Sequence, residues 1–501
     1  MEQLIKIGFD NHSIASGKKT EALFQSLREL IVEGTLLNGE RLPSSRKLAE
    51  LLEISRGSVN QAYDMLLAEG FVRTGRGSGT YIAYQQPDYG LGRREAEGAD
   101  IPLSSWAKRL QQAQSHRPSE AAIVIAADEV SAVGIDFSFD VIERPFFPYE
   151  EWKSAMFEEI RCSLDQPKKE RPGTEGYYPL REAIAHELRR ERGIIASAEH
   201  IFITNGSMHA IALLCMLLIN YGDNVVVENP GYSGIRRAVE VAGGSLIYGN
   251  VDDSGIIPEQ WEGAKLLFVT PSRQFPTGVT LTAERRKLLL EWASKRRAVI
   301  VEDDYDSEFR WGGRPAEPLK ALDREGRVVF IGTFSKTMYT ELRLGFAVVP
   351  EALREPMRLA KYLLEPHPSS IAEQRALAGF MASGQYLRHL RRQRRVYGRR
   401  LQRFREQAKQ SLGGMFRFAP SDAGLHQYAE WLGQADEYET LKARCIQAGV
   451  KWTDGSRYWR EPSKVGCLSA IFGFAHLSEE QITDGLKQIA ACWEEMLAEK
   501  R

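Results

Sequence analysis

The chain has 501 residues, 43% hydrophobic and 27% charged, with a formal net charge of −1. That length requires two or more domains, and the balanced charge excludes a protein that relies on a global basic field to hold nucleic acid or membrane. Five scattered cysteines (Cys162, Cys215, Cys445, Cys467, Cys492) suit neither a disulfide framework nor a zinc site and point to a reducing, cytoplasmic compartment. The N-terminus shows no basic-then-apolar signal pattern, and the longest apolar run, 210–219, is half a membrane span, so no membrane partner is expected.

Residues 20–37 place Leu23, Leu27, Leu30 and Ile31 on one helical face. A short helix is predicted within 42–54, behind a Pro-Ser start signal. A third is predicted over 55–70, where Val59, Ala62, Tyr63, Leu66 and Leu67 recur at helical spacing between an N-cap at Ser55 and a closing Gly70. Two β-prone runs in 71–84 flank a Gly-rich tip and read as a hairpin. Over 1–84 this order is a winged helix-turn-helix, whose recognition helix meets the major groove of double-stranded DNA with its N-terminal residues. Arg56 is then the base reader, its fork matching guanine O6 and N7, with Asn60 one turn on. Arg46 begins the second helix and Ser55 the third, both on the DNA-binding side; Ser44, Ser45 and Ser58 are phosphate candidates, and Arg73 and Arg76 on the wing reach backbone or minor groove. The competing reading is a winged helix that binds protein only.

Residues 85–125, rich in Gln, Gly, Pro and charge, read as an exposed linker. From 126 to 501, short apolar runs ("IFIT", "NVVVENP", "KLLFVTPS", "AVIVEDDY", "VVFIGTFSK") alternate with helical patterns, the signature of an α/β fold with a buried, mainly parallel sheet. The pattern loosens from about 410, which suggests a small C-terminal subdomain. Ligands of open α/β sheets sit outside the carboxyl ends of the strands, so the residues after each run are the site candidates.

These are Ser207 and Met208, opening a helix; Tyr232; Asp303 or Asp304, with Tyr305; then Thr333, Ser335, Lys336 and Arg343. One cofactor accounts for the set, pyridoxal 5′-phosphate. Its aldehyde needs an amine (Lys336), its ring nitrogen a carboxylate (Asp303), its 3-oxygen a hydroxyl donor (Tyr305) and its ring face an aromatic neighbour (Tyr232). Its phosphate needs a helix start, hydroxyls and a guanidinium (Ser207, Thr333, Ser335, Arg343).

"TFSKTMYTELRLGF" (333–346), "EDDYDSEF" (302–309) and "PSRQFPTG" (271–278) resemble the motifs of fold-type I, class I aminotransferases. "LPSSRKLAELLEISRGSVNQAYDMLLAEGFV" (42–72) followed by "GRGSGTYI" (75–82) resembles the GntR family. The two in this order resemble the MocR/GabR subfamily of bacterial transcription regulators. The resemblance favours Asp303 over Asp304, sets Tyr178 (or Tyr177) against a partner subunit's phosphate in a homodimer, and sets Arg457, in "DGSRYW", on the carboxylate of a small amino-compound effector.

It also shows departures. Phe275 stands where the usual Asn contacts the ring oxygen, and Glu341 where a Gly is usual. Ser233 and Gly234 replace an arginine pair of GABA-sensing relatives, which makes GABA a poor effector. The resemblance implies a regulator sensing an amino compound, or the cofactor itself, through Lys336. The alternatives are an active aminotransferase with a DNA-binding appendage, and a fold kept only as a dimeriser. The arginine-rich stretch 388–400 reads as a solvated helix face, with DNA phosphates as its alternative partner.

Overall fold

A computed structural model describes residues 1–16, 18–75, 79–85, 102–115, 134–139, 146–165, 172–312, 316–461 and 468–499. The chain divides into two compact units, Met1–Pro102 and Leu103–Arg501.

The first unit contains α1 (Glu2–Ser16), α2 (Lys19–Val32), α3 (Ser45–Leu52), α4 (Arg56–Ala68), β1 (Val72–Gly75) and β2 (Gly79–Ile82). Ser44 caps α3 by accepting the N–H of Lys47 at 3.3 Å, and Ser55 caps α4 by accepting that of Ser58 at 3.0 Å; such a cap stabilises a helix by about 1 kcal/mol. Between them Glu53 takes a left-handed φ of 54° and turns the chain. Tyr63 donates its hydroxyl to Pro43 O at 2.7 Å, tying α4 to the start of α3. Leu23, Leu27, Leu48, Val59, Ala62, Leu66 and Ile82 form the buried core. The helix predicted over 20–37 stops at Val32; Leu36 is buried from the following turn instead. Helix α1 was not anticipated, although Ile5 and Phe9, one turn apart, are both buried in this core.

The second unit is built on an eight-stranded sheet of order β4-β11-β10-β9-β8-β5-β6-β7. Its strands are β4 (Ile201–Thr204), β5 (Asn224–Asn229), β6 (Ser245–Asp252), β7 (Gly255–Ile256), β8 (Ala264–Val269), β9 (Val299–Asp304), β10 (Val328–Thr333) and β11 (Gly345–Val348). The central pairings β10–β9–β8–β5–β6 are all parallel, as the buried apolar runs predict; β11 runs antiparallel between β10 and β4. Helices cover both faces, so Val225, Val227, Val301, Val329 and Ile331 pack on one side and Val226, Leu267, Ile300 and Val328 on the other.

A second, five-stranded sheet has the order β12-β13-β15-β14-β3. It comprises β12 (Phe416–Phe418), β13 (His426–Trp431), β14 (Val450–Asp454), β15 (Ser469–Gly473) and β3 (Ile135–Phe137). Strand β3 pairs parallel with β14 across more than 300 residues of chain. Phe137, Phe404, Phe416 and Phe472 fill the core beneath this sheet. Composition reads 85–125 as linker; the structure differs at Ser105–Ser115, which is helical. This helix belongs to the second unit, where Arg109 Nε donates to Val241 O at 3.0 Å and its guanidinium lies 5.8 Å from the Tyr221 ring. The segment is helical because it docks, since its own sequence, SWAKRLQQAQS, has little apolar surface.

Candidate functional site

Strand β9 ends in three consecutive acids, Glu302, Asp303 and Asp304, all buried. Successive strand residues face opposite sides of a sheet, so the three have separate environments. Glu302 accepts the backbone N–H groups of Leu319 and Lys320 at 3.1 and 2.9 Å. Asp304 accepts from Arg192 Nη2 at 2.6 Å and from Ser307 Oγ at 2.8 Å. Asp303, on the other face, has no hydrogen-bonding partner for Oδ1, although that atom is buried. Burial, and secondarily the charge of Asp304, push the Asp303 carboxyl up to about 7.

The adjoining strand ends supply the other groups. Register brings Ile331 of β10 opposite Asp303, and Gly345 of β11 opposite both Thr333 and Thr204. Thr333, Ser335 and Lys336 therefore leave the sheet beside the turn that opens the helix Ser207–Leu218. Thr333 Oγ1 donates to Ser335 Oγ at 3.1 Å. Arg343, at a left-handed φ of 51°, places Nη2 3.4 Å from Asn205 O. A Cβ on Gly206 would stand 2.7 Å from that same nitrogen, so the guanidinium lies directly against the glycine that precedes the helix. Helix N-terminus, hydroxyls and guanidinium thus lie close together, an arrangement of the kind that attracts an anion, with Ser207 and Met208 in the helix's first turn.

Phe275 is the centre of an aromatic wall. It meets Tyr232, Tyr305 and Tyr458 edge-on at 5.8, 5.7 and 4.9 Å between ring centroids. It also lies 5.4 Å from Phe139, over whose ring Lys336 Nζ sits at 5.6 Å. Arg457, half-buried in the turn Ser456–Tyr458, donates from Nη2 to the Tyr458 hydroxyl at 2.9 Å. Arg236, two places beyond Gly234, is buried and donates to Arg457 O at 3.2 Å, so a second guanidinium does stand near Arg457, though not at the positions considered from sequence. Tyr178 is exposed, with the Arg181 guanidinium 5.2 Å from its ring; Tyr177 is half-buried and donates its N–H to Gln374 Oε1.

In the first unit Ser44, Arg46, Ser55, Arg56, Asn60 and Arg73 are exposed, and Ser45 and Ser58 half-buried. Arg56 Nε donates to Ser45 Oγ at 3.2 Å, and Arg46 pairs with Glu50 one turn on. Arg76, at the tip of the wing, lies outside the described residues. The basic stretch 388–400 lies in the helix Gln385–Ser411, with Arg388, Arg391, Arg392, Arg395 and Arg399 exposed and Arg400 buried against Ala475 O.

Sequence reasoning missed the buried cluster of Arg273, Asp306 and His426 behind Tyr305. The one signal was the arginine inside "PSRQFPTG". Among the described residues no group of His, Cys, Asp and Glu could hold a metal ion, and no helix is long and apolar enough to cross a membrane.

Residues 142–458 match the family "Aminotransferase class I and II", and residues 19–82 match "Bacterial regulatory proteins, gntR family". The structure is similar to the kynurenine aminotransferase of Pyrococcus horikoshii solved with PMP, with a TM-score of 0.69 and 27% identity, over 77% of this chain and 97% of that one. The α-aminoadipate aminotransferase LysN of Thermus thermophilus, at 24% identity and a TM-score of 0.67, shares the fold over 79% of this chain and 98% of its own.

Full-length relatives are named as regulators. The probable rhizopine catabolism regulatory protein MocR of Rhizobium meliloti is 33% identical over 94% of this chain and 93% of its own length. The pyridoxine biosynthesis regulator PdxR of Corynebacterium glutamicum is 31% identical over 93% and 94%. With a GntR helix-turn-helix ahead of a class I aminotransferase fold, and relatives matching both in that order, the chain belongs to the MocR/GabR subfamily of GntR-family transcription regulators.

Proposed function

We propose that this regulator binds double-stranded DNA through its winged helix-turn-helix and pyridoxal 5′-phosphate through its aminotransferase-like domain, and that the Lys336 site senses a small amino compound or the cofactor itself. The observation that carries the reading is Asp303 Oδ1, a buried carboxylate oxygen with no partner, on the face of β9 opposite Glu302 and Asp304. Buried polar atoms are almost always hydrogen-bonded, and a protonated ring nitrogen is the partner this one fits. When bound, pyridoxal 5′-phosphate supplies an aldehyde that condenses with amines.

The chain's own residues do the rest. Asp303 holds a proton on the ring nitrogen, and Lys336 supplies the amine. Tyr232 bounds the ring face, and Tyr305 donates to the 3-oxygen. Ser207, Thr333, Ser335 and Arg343 neutralise the phosphate at the helix start. Arg457 grips an effector carboxylate with its planar fork. The exposed ring of Tyr178 is suited to reach a partner subunit in a homodimer, and a homodimer presents two winged helices to two half-sites. An effector regulates by binding one arrangement of that dimer better than another. Such a protein works in the cytoplasm, where its operator is.

Phe275 removes a polar contact to the ring that aminotransferases keep, which favours sensing over turnover. The test is the visible spectrum of the purified protein during addition of amino acids, D-amino acids and small dipeptides, with keto acid assayed in the same samples. A ligand that shifts the band without releasing keto acid is the effector of a sensor. Keto acid formed in proportion, with turnover on an acceptor, assigns an aminotransferase instead. Lys336→Ala is expected to abolish the band and every ligand-induced shift.

Arg56→Ala is expected to weaken operator binding roughly ten-fold or more and relax specificity at one base position. Gel-shift titration measures this, with an unchanged melting temperature as the control for folding. Equal loss on every sequence would make Arg56 a phosphate contact.

A further inference from the structure

Arg273 is 2% exposed, and each of its nitrogens donates to a specific partner. Nη1 donates to the Tyr305 hydroxyl at 3.0 Å and to Asp306 Oδ2 at 2.9 Å. Nε donates to Ala423 O at 3.1 Å, and Nη2 to His426 O at 2.7 Å. Tyr305 and Asp306 follow β9 of the large sheet, whereas Ala423 and His426 lead into β13 of the small one. One guanidinium therefore joins the end of the central strand to the small subdomain.

The surroundings are shaped for it. Gly424 has a φ of +83°, and a Cβ there would stand 2.1 Å from the guanidinium carbon, so only glycine leaves the space. Asp306 balances the charge, which a buried arginine requires. The His426 ring lies against Nη1 at 3.3 Å; burial, and then the Arg273 charge, hold its pKa well below the usual range, so it does not add a second cation.

The bond to Tyr305 has a direction. Arginine only donates, so the Tyr305 oxygen is the acceptor and its own O–H remains to be donated elsewhere. Phe275 meets that tyrosine ring edge-on at 5.7 Å and offers it no polar atom. A phenol whose oxygen is held by a cation is also a stronger donor, because hydrogen bonds in series polarise one another.

We infer that Arg273 is a positioning residue for the cofactor: it holds Tyr305 by its oxygen so that the phenol O–H is donated to the ring 3-oxygen, replacing the contact Phe275 cannot make, and it fastens that donor to the small subdomain. The inference rests on the cofactor reading above. Its consequence is that a shift of the small subdomain pulls on Ala423 and His426, and through Arg273 changes the hydrogen bond that tunes the cofactor's colour. The spectrum then reports subdomain position.

The experiment is a pH titration of the visible band of the full-length, cofactor-loaded protein. The variants are Arg273→Gln, Arg273→Lys, Tyr305→Phe and the double variant Tyr305→Phe/Arg273→Lys, with Lys336→Ala as control. A positive charge and a donated hydrogen bond both stabilise negative charge on the 3-oxygen, so the proton shared with the Lys336 nitrogen leaves at lower pH. Loss of Arg273 is expected to raise the titration midpoint by about one pH unit. Arg273→Lys keeps the charge but not the fork, and is expected to give a smaller rise. With Tyr305→Phe already present, Arg273→Lys is expected to add nothing.

Unchanged midpoints in both arginine variants overturn the inference. An equal Arg273→Lys shift with and without the Tyr305 hydroxyl overturns it too, since Arg273 would then act on the cofactor by a route that bypasses Tyr305. Should Arg273→Gln fail to fold, Arg273→Lys retains the ion pair with Asp306 and carries the test. A wild-type protein without a band that Lys336→Ala removes defeats the cofactor reading itself, and the inference with it.

Discussion

Asp303→Asn is expected to weaken cofactor binding roughly 30-fold or more while making the cofactor-free protein more stable at alkaline pH. The first effect is the loss of one partner from a buried charge pair. The second follows from linkage. Burial pushes the Asp303 carboxyl up to about 7 in the folded protein, against about 3.9 in an unfolded chain. The folded state thus holds a proton that the unfolded state releases. That contribution to stability is fully present below pH ~4 and is lost as pH rises through about 7. Asparagine does not titrate, so the variant loses nothing over that window and gains roughly 1–4 kcal/mol relative to wild type at pH 8. Glu228 and Glu308, pushed up to about 7 and about 8 chiefly by burial, keep some alkaline decline in both proteins. Absorbance titration with the cofactor and urea unfolding at pH 6 and pH 8 measure the two effects. An asparagine variant that binds cofactor as tightly as wild type would place the ring-nitrogen partner elsewhere.

The neighbouring carboxylate is expected to behave in the opposite way. Asp304→Ala is predicted to destabilise the fold by about 3–5 kcal/mol, because Arg192 would remain nearly buried without its counter-charge. The Arg192 bond to Ser272 Oγ at 2.7 Å compensates only in part, since a hydroxyl carries no charge. Cofactor stoichiometry in the folded fraction is expected to stay at the wild-type value, because Asp304 faces the side of β9 opposite Asp303. Urea unfolding and the absorbance ratio of the gel-filtered protein check the pair of outcomes. Loss of cofactor with little loss of stability in Asp304→Ala would mean that the two acids have exchanged duties.

These two variants mark the boundary of what the primary structure tells. From residue order alone, "VEDDYDS" offers two adjacent candidates for one role. Which of them is spoken for depends on Arg192, at the end of the helix Tyr178–Arg192 and more than 100 residues earlier in the chain. Similarly, the arginine of "PSRQFPTG" is visible as a residue but not as a partner of Tyr305, Asp306, Ala423 and His426, which come from two sheets.

The winged helix-turn-helix, the parallel core strands and the polar residues at their carboxyl ends are legible in the order of residues. They are so because helix caps, apolar periodicity and strand-end motifs are local: each is written within about ten residues and needs no distant partner to be recognised. It took the packed fold to show that β3 completes the small sheet beside β14, that the segment Ser105–Ser115 is a docked helix rather than linker, and that Asp304 is engaged while Asp303 Oδ1 is not. Each of those outcomes turns on contacts between segments far apart in the chain. Burial and hydrogen-bond satisfaction, which select among such contacts, are properties of the packed molecule and leave no periodic trace in the order of its residues.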